Sequence, residues 1–301
     1  MKVLVTGGEG FIGSHVADAL AMSGCDVSSL DNESALSNLK FYKENERVKY
    51  YCFSILDYKQ LSSLFQENQF EMVFHLAAES RIQPAIQNPS QACSTNFVGT
   101  QNLLEVSRLT KVKRFIYSST SSCYGIKNTG PLREDMPTDC LNSYSISKVA
   151  GEGLCRVYYN LYGLETVSLR YFNVYGERHP IKGQYAPVVG KFLLQKKNGE
   201  PMSIVGDGSQ RRDFTYVQDV VKSNLLAMRS KNASIFGEVF NVGSGVNYSI
   251  LQIAKIMNGD YVYVPKRPGE AQNSLSDISK IRRELNYEPE VKIEDWIKSQ
   301  L

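Results

Sequence analysis

Tyr144-Ser145-Ile146-Ser147-Lys148 puts a phenol and an ammonium four residues apart, and so on one face of a helix. A free tyrosine titrates near 10 and is a poor base at neutral pH. A neighbouring ammonium favours the phenolate and lowers that value, each unit being worth about 1.4 kcal/mol. The phenolate can then take a proton from an alcohol while a hydride leaves the same carbon. A second run, Ser118-Ser119-Thr120-Ser121-Ser122, offers hydroxyls able to bridge the alcohol oxygen and the tyrosine. A tyrosine and a lysine at this spacing occur on many helices by chance. The pair gains meaning only from what stands beside it.

A departing hydride needs an acceptor, and the first residues supply a place for one. Thr6-Gly7-Gly8-Glu9-Gly10-Phe11-Ile12-Gly13 sets Gly7, Gly10 and Gly13 between a strand and a helix. Such glycines allow a tight turn, close approach of the backbone to a pyrophosphate, and close helix–strand packing. Asp31 ends the next strand, where a carboxylate accepts hydrogen bonds from a ribose diol and repels a 2′-phosphate. No Arg or Lys follows it before Lys40, so NAD is expected rather than NADP. Asp57 is open to two readings, an adenine contact or the N-cap of the following helix.

The elements that position these groups alternate in type. Strands are expected at Lys2–Thr6, Asp26–Leu30, Val48–Phe53, Glu71–Leu76, Arg114–Tyr117 and Glu165–Leu169, with helices at Phe11–Ser23, Ser94–Leu109 and Ser143–Tyr162. This is the pattern of a Rossmann-type, doubly wound α/β domain with a parallel sheet. The hydroxyl run would follow directly on the fifth strand, at the sheet edge where such folds bind ligands. After Phe172 glycine and proline punctuate the chain, which predicts a smaller C-terminal α/β substrate domain. The expected division is 1–172 and 173–301, with about 213–242 packing back on the first domain.

Composition narrows the class. The chain has 301 residues, 34 Lys plus Arg and 31 Asp plus Glu, for a net charge of +3. That balance speaks against nucleic acid as the partner, and no apolar run reaches the length of a membrane span. The six cysteines form no Cys-x-x-Cys pair and histidines number three, so reduced thiols, a cytoplasmic setting and no metal are expected.

Over essentially its whole length the chain resembles the extended short-chain dehydrogenases/reductases of the NAD-dependent epimerase/dehydratase family, closest to the UDP-hexose 4-epimerases. The motifs that carry the resemblance are Thr6 to Gly13, Leu30-Asp31-Asn32, His75-Leu76-Ala77-Ala78, Asn96 before Gly99-Thr100 and Ser118 to Gly125. Tyr144 to Lys148, Arg170 to Gly176, Arg212-Asp213-Phe214, Asn241-Val242-Gly243 and Arg267-Pro268-Gly269-Glu270 complete them. The resemblance implies that Tyr144 deprotonates the sugar 4-hydroxyl while the C4 hydride passes to NAD. A 4-keto sugar would turn over and take the hydride back on its other face. Thr120 would bind the sugar oxygen, and Lys148 the cofactor ribose. Gly7, Gly10, Phe11, Ile12, Gly13, Asp31, Asn32, Leu76, Ala77, Ala78, Asn96 and Ser118 would surround the cofactor. Ser121, Ser122, Asn173, Arg212, Arg267 and Glu270 would meet the nucleotide sugar, the arginines pairing with its pyrophosphate.

Departures from the family pattern sharpen the expectation. The related dehydratases carry acid after the catalytic threonine, where this chain has Ser121 and Ser122. Uronate 4-epimerases typically have threonine at Asn173 and an arginine near Pro180, which makes UDP-glucuronate a poorer candidate. Ser274 aligns with a position near the hexose 2-substituent, where a bulky tyrosine is associated with rejection of N-acetylated sugars. Serine leaves room, so UDP-GlcNAc/UDP-GalNAc joins UDP-glucose/UDP-galactose as a substrate pair. Arg81 is a cation with no role in this scheme. The alternative enzyme is a 4-keto nucleotide-sugar reductase. In relatives the helices near 94–109 and 143–162 form a four-helix bundle, which implies a homodimer.

Overall fold

The computed structural model describes residues 1–34, 45–180, 187–266 and 271–301. The first half runs β1 (Lys2–Thr6), α1 (Phe11–Met22), β2 (Asp26–Asp31), β3 (Val48–Cys52), α2 (Tyr58–Asn68) and β4 (Met72–His75). It continues with α3 (Ile82–Gln87), α4 (Pro89–Cys93), a π turn at Ser94–Val98, α5 (Gly99–Leu109), β5 (Arg114–Thr120), α6 (Ser143–Tyr162) and β6 (Glu165–Tyr171). Then follow β7 (Val174–Tyr175), α7 (Val188–Lys197), β8 (Met202–Val205), β9 (Arg211–Asp213), β10 (Thr215–Tyr216) and α8 (Val217–Arg229). The chain ends with β11 (Glu238–Val242), β12 (Asn247–Ser249), α9 (Ile250–Ile256), β13 (Tyr261–Val264), α10 (Ser279–Leu285) and α11 (Ile293–Gln300).

Seven of these strands form one sheet in the order β11-β6-β5-β4-β1-β2-β3, parallel throughout. Alternate residues of β1 face opposite layers. Val3 and Val5 join Val16, Leu20, Val220 and Phe240, whereas Leu4 joins Leu61, Phe65, Leu103 and Phe115. Helices cover both faces, so the strand is apolar at every inner position. The strand order reverses between β1 and β4, which opens the crevice at their carboxyl ends.

Three expectations need correction. First, β5 does not stop at Tyr117. Its neighbour β6 runs on to Tyr171, and the pairs Ser118↔Leu169, Ser119↔Arg170 and Thr120↔Tyr171 keep the ladder going. Thr120 is therefore the last strand residue. Second, the helix expected from Ser94 begins as a π turn, and α5 proper starts at Gly99. A Cβ on Gly99 would lie 2.5 Å from Ile55 Cδ1, so a larger residue here would have to displace the end of that side chain.

Third, the part of 173–301 that shares the sheet's core reaches past the expected 213–242. β11 is the seventh strand of the sheet, and Val220, Val221, Ala227 and Met228 of α8 share a core with Val16 and Leu20 of α1. Ile281 and Leu285 of α10 lie in the same core. The remaining elements have their own apolar centre, in which Phe192, Met202, Ile204, Phe214, Ile253 and Trp296 are buried.

Candidate active site

The glycine turn is fixed by its neighbours. Gly7 N–H donates to Leu30 O at 2.8 Å and its φ is +69°, in the left-handed region that favours glycine. A Cβ on Gly7 would lie 2.6 Å from Ala77 N, and one on Gly13 would lie 2.0 Å from Gly7 O. Gly10 is the N-cap of α1 and supplies no side-chain acceptor, and the first turn holds no acidic residue. The helix thus presents uncapped N–H groups to the crevice. A dinucleotide pyrophosphate fits that end. Phe11 and Ile12 open the helix, Phe11 with its ring edge-on to His179 at 6.2 Å.

Asp31 ends β2 beside this turn. Its carboxylate accepts from Glu9 N at 3.2 Å and Glu33 N at 2.9 Å, and burial pushes its pKa up against those hydrogen bonds. Asn32 is exposed and folds its amide oxygen onto Ser34 N at 3.2 Å. Asp57 caps α2: its carboxylate accepts Gln60 N at 3.0 Å and Gln60 Nε2 at 2.6 Å. Of its two readings, the cap is the one the contacts display.

Below the crevice floor runs a buried chain of hydrogen bonds. Ala77 N–H donates to Thr6 Oγ1 at 3.3 Å, and Thr6 Oγ1 lies 2.7 Å from His75 Nδ1. His75 Nε2 lies 2.9 Å from Thr100 Oγ1, which donates to Asn96 O at 2.7 Å. Because Thr100 gives its only proton to Asn96, His75 carries its own on Nε2. Burial, and then the Lys148 charge, hold His75 neutral well below its usual range. Leu76, Ala77 and Ala78 form the loop above it.

Asn96 is fully buried. Its Nδ2 donates to Glu79 O and Ser147 Oγ, both at 3.0 Å, and its Oδ1 accepts Glu79 N at 2.8 Å. Ser118 likewise turns to the protein, 3.0 Å from Tyr171 Oη. Both side chains brace the edge at which the cofactor is expected.

Thr120, Tyr144 and Lys148, the expected reacting groups, lie on β5 and α6. Asn142 and Ser145 form a capping box at the start of α6, which fixes the first turn carrying Tyr144. Thr120 accepts Ser122 N at 3.1 Å and hydrogen-bonds the Tyr144 phenol. Ser121 and Ser122 sit in the 3-10 turn that Thr120 caps. Lys148 is buried, with Nζ 4.2 Å from the centre of the Tyr117 ring. In the protein alone, burial governs both titrations. Burial pushes Tyr144 up, with the Thr120 hydrogen bond opposing. The lysine is pushed down to about 7, again by burial.

Asn173, Arg212 and Ser274 gather around Asp213. Asn173 Nδ2 donates to Asp213 O at 2.8 Å from a left-handed backbone (φ 28°). Arg212 Nη1 donates to Arg211 O at 2.9 Å, and Ser274 N–H donates to the same carbonyl at 3.1 Å. Ser274 is buried and its hydroxyl has no partner among the described residues. Arg267 and Glu270, like Lys40, lie outside the described residues.

The family profile described as GDP-mannose 4,6 dehydratase matches residues 4–300. The chain belongs to the NAD-dependent epimerase/dehydratase family. Among solved structures it is similar to a Thermotoga maritima UDP-glucose 4-epimerase with UDP-glucose. The two are 37% identical with TM-score 0.92, over 99% of this chain and 96% of that one. A Methanobrevibacter ruminantium UDP-N-acetylglucosamine 4-epimerase, in complex with UDP-N-acetylmuramic acid, is 32% identical with TM-score 0.90, over 99% and 96%. A Thermodesulfobacterium geofontis UDP-glucuronate 4-epimerase is 33% identical over 98% of this chain and 93% of its own. Among the described residues no His, Cys, Asp or Glu group could hold a metal, and no helix is long and apolar enough to cross a membrane.

Three features of this family member escaped the sequence reading. Asp213 is fully buried yet accepts Ser244 N at 2.8 Å, Ser244 Oγ at 2.7 Å, Gly245 N at 3.1 Å, Ser276 N at 3.0 Å and Ser276 Oγ at 2.5 Å. No local pattern announces that convergence of distant segments. His75 is hidden in the same way. Glu152 did leave a signal, since it continues the Tyr144–Lys148 spacing by four.

Proposed function

We propose that the chain is an NAD-dependent 4-epimerase of UDP-hexoses, acting on UDP-glucose/UDP-galactose and with room for UDP-GlcNAc/UDP-GalNAc. The observation that carries this reading is the meeting of Thr120, Tyr144 and Lys148 at the carboxyl edge beside the glycine turn, with Ser121 and Ser122 where the dehydratases have acid. Relatives that act on UDP-glucose, UDP-glucuronate and UDP-N-acetylglucosamine make nucleotide-sugar 4-epimerisation the common chemistry.

NAD, when bound, supplies the hydride acceptor and then donor. Gly7, Gly10 and Gly13 would hold its pyrophosphate at the start of α1, Asp31 a ribose, and Lys148 the ribose near the reacting carbon. Thr120 orients the sugar 4-oxygen toward Tyr144, which takes its proton on oxidation and returns it on reduction. Lys148 stabilises the phenolate electrostatically when protonated. Asn173, Arg212, Arg267 and Glu270 would hold the UDP moiety while the 4-keto sugar turns over. Ser121 and Ser122 offer hydroxyls rather than acids to the ring, so elimination of water has no proton donor there.

A second reading, a UDP-uronate substrate, has one supporting observation. Arg81 is partly buried at the start of α3 and has no side-chain partner among the described residues. We also propose a homodimer: Phe97, Val98, Leu109, Ile146, Val157 and Leu161, on the π turn, α5 and α6, are apolar and exposed. Six free thiols support a cytoplasmic setting.

The test incubates purified protein, with no added cofactor, separately with UDP-glucose, UDP-GlcNAc and UDP-glucuronate, and resolves the 4-epimers by chromatography. Conversion of either of the first two is expected. Conversion of UDP-glucuronate alone would move the assignment to the uronate. Turnover only with added NADH and a keto sugar would establish the reductase instead.

A further inference from the structure

Tyr144, Lys148 and Glu152 stand at successive intervals of four on α6 and share one face. Glu152 is buried and clamped from two strands. Ser119 Oγ, on β5, donates to Glu152 Oε1 at 2.5 Å. Arg170, on β6, grips it with Nε to Oε1 at 2.8 Å and Nη2 to Oε2 at 2.7 Å. The remaining guanidinium nitrogen donates to Tyr124 Oη at 2.9 Å, and Tyr124 donates to Asn241 Oδ1 at 2.7 Å. Asn241 Nδ2 in turn donates to Leu132 O at 2.7 Å and Asp277 O at 3.2 Å. A continuous polar chain thus runs from the Tyr144 helix to the segment carrying Ser274.

We propose that Glu152 is a positioning residue for Tyr144 and Lys148, locking α6 against β5 and β6 and placing a buried carboxylate one turn beyond the lysine. The proposal rests on the reading of Tyr144 as the base. Ser119 precedes Thr120 on β5, so the clamp sets the register at which Thr120 and Tyr144 meet. Buried ion pairs are poor sources of stability, which leaves geometry and charge as what this one contributes.

The charges around the lysine are few. Burial lowers Lys148, and Cys155 and then Glu152 act to raise it. Burial also pushes the Cys155 thiol up to about 12, so near neutral pH it carries no charge and Glu152 acts alone. From β4 and β5, among the described residues, the lysine meets neutral His75 and the Tyr117 ring. Tyr144 itself faces Thr120 and the Cys123 thiol, which burial keeps protonated. Removing the Glu152 charge makes Lys148 lose its proton at lower pH. The phenolate then lacks that support over a wider range of pH.

The experiment compares the NAD-loaded wild type with Glu152→Gln, Ser119→Ala and the double variant Glu152→Gln/Arg170→Gln, which leaves no uncompensated buried charge. Two readouts are followed against pH: kcat, and the nitrogen NMR shift of the Lys148 amine, assigned against Lys148→Met. In Glu152→Gln we expect KM within about twofold and kcat down severalfold just above neutrality, as the basic limb and the lysine titration both move down by about one pH unit. The double variant moves the same way, and Ser119→Ala leaves the titration in place. A uniform loss of rate with an unmoved lysine titration, in either Glu152 variant, would overturn the proposal. The NMR readout needs no turnover, so a wrong substrate assignment leaves it intact. Turnover surviving in Tyr144→Phe would instead sink the reading of the site.

Discussion

Asn96 Nδ2 donates to Ser147 Oγ at 3.0 Å, tying the π turn to the helix of Tyr144 and Lys148. The same amide closes both backbone groups of Glu79, so one buried side chain joins the loop after β4 to α6. A π turn widens a helix by one residue and recurs at functional sites. Here it brings Asn96 to the floor of the crevice.

Asn96→Ala would remove three hydrogen bonds and leave the Glu79 N–H and C=O without them. The expected loss is about 2–4 kcal/mol, since an unmatched buried polar group costs about 1–3 kcal/mol. Denaturant unfolding should show the midpoint falling, with kcat reduced through the displaced α6. An unchanged midpoint would show that water replaces the amide at no cost.

Tyr144→Phe should lower turnover by about 10²–10⁴-fold, the usual worth of a positioned acid–base group. Bound NAD, released by denaturation and quantified by absorbance, should stay at the wild-type level. Thr120→Ala should cost less, because it orients the alcohol without taking its proton. Retained rate in the phenylalanine variant would remove Tyr144 from the chemistry.

Legibility followed locality. The strand–glycine turn–helix at Thr6–Gly13 and the Tyr144–Lys148 face are written in adjacent residues, and the fold reproduces their placement. What was misread depends on distant partners. β5 extends to Thr120 only because β6 continues beside it. β11 reads as a short apolar run among loops until it pairs with β6. Ser118 and Asn96 also bond to Tyr171 and Glu79, partners that no local pattern announces. Desolvation, which acts on both Tyr144 and Lys148, is likewise not written in the spacing of the pair.

Gly13→Ala tests the cofactor cradle. Its Cβ would lie 2.0 Å from Gly7 O, a contact that no rotamer can relieve because both partners are backbone. The turn must open, so the purified variant should carry only a minor fraction of the wild-type NAD. Full NAD content would show that α1 shifts without harm to the site.

Ser274→Tyr tests whether this position faces the sugar. The serine is buried with an unpartnered hydroxyl, and tyrosine would fill space beside the Arg211 carbonyl that its amide contacts. Turnover of UDP-GlcNAc should fall more than that of UDP-glucose. Equal losses on both would dissociate this position from the 2-substituent.

Lys148 also makes a prediction about stability. Burial lowers it to about 7 from 10.5, so between those values the unfolded chain holds a proton that the folded chain lacks. Stability therefore rises with pH across that window, and below about pH 7 the folded state bears the full cost of a buried ammonium. In NAD-free protein, Lys148→Met removes the cost. The variant should be more stable than wild type at pH 7, by denaturant midpoint, and the gap should narrow by pH 9. It should also be severely impaired in turnover at both. A gap that stays constant between the two pH values would mean that Lys148 keeps an ordinary titration despite its burial.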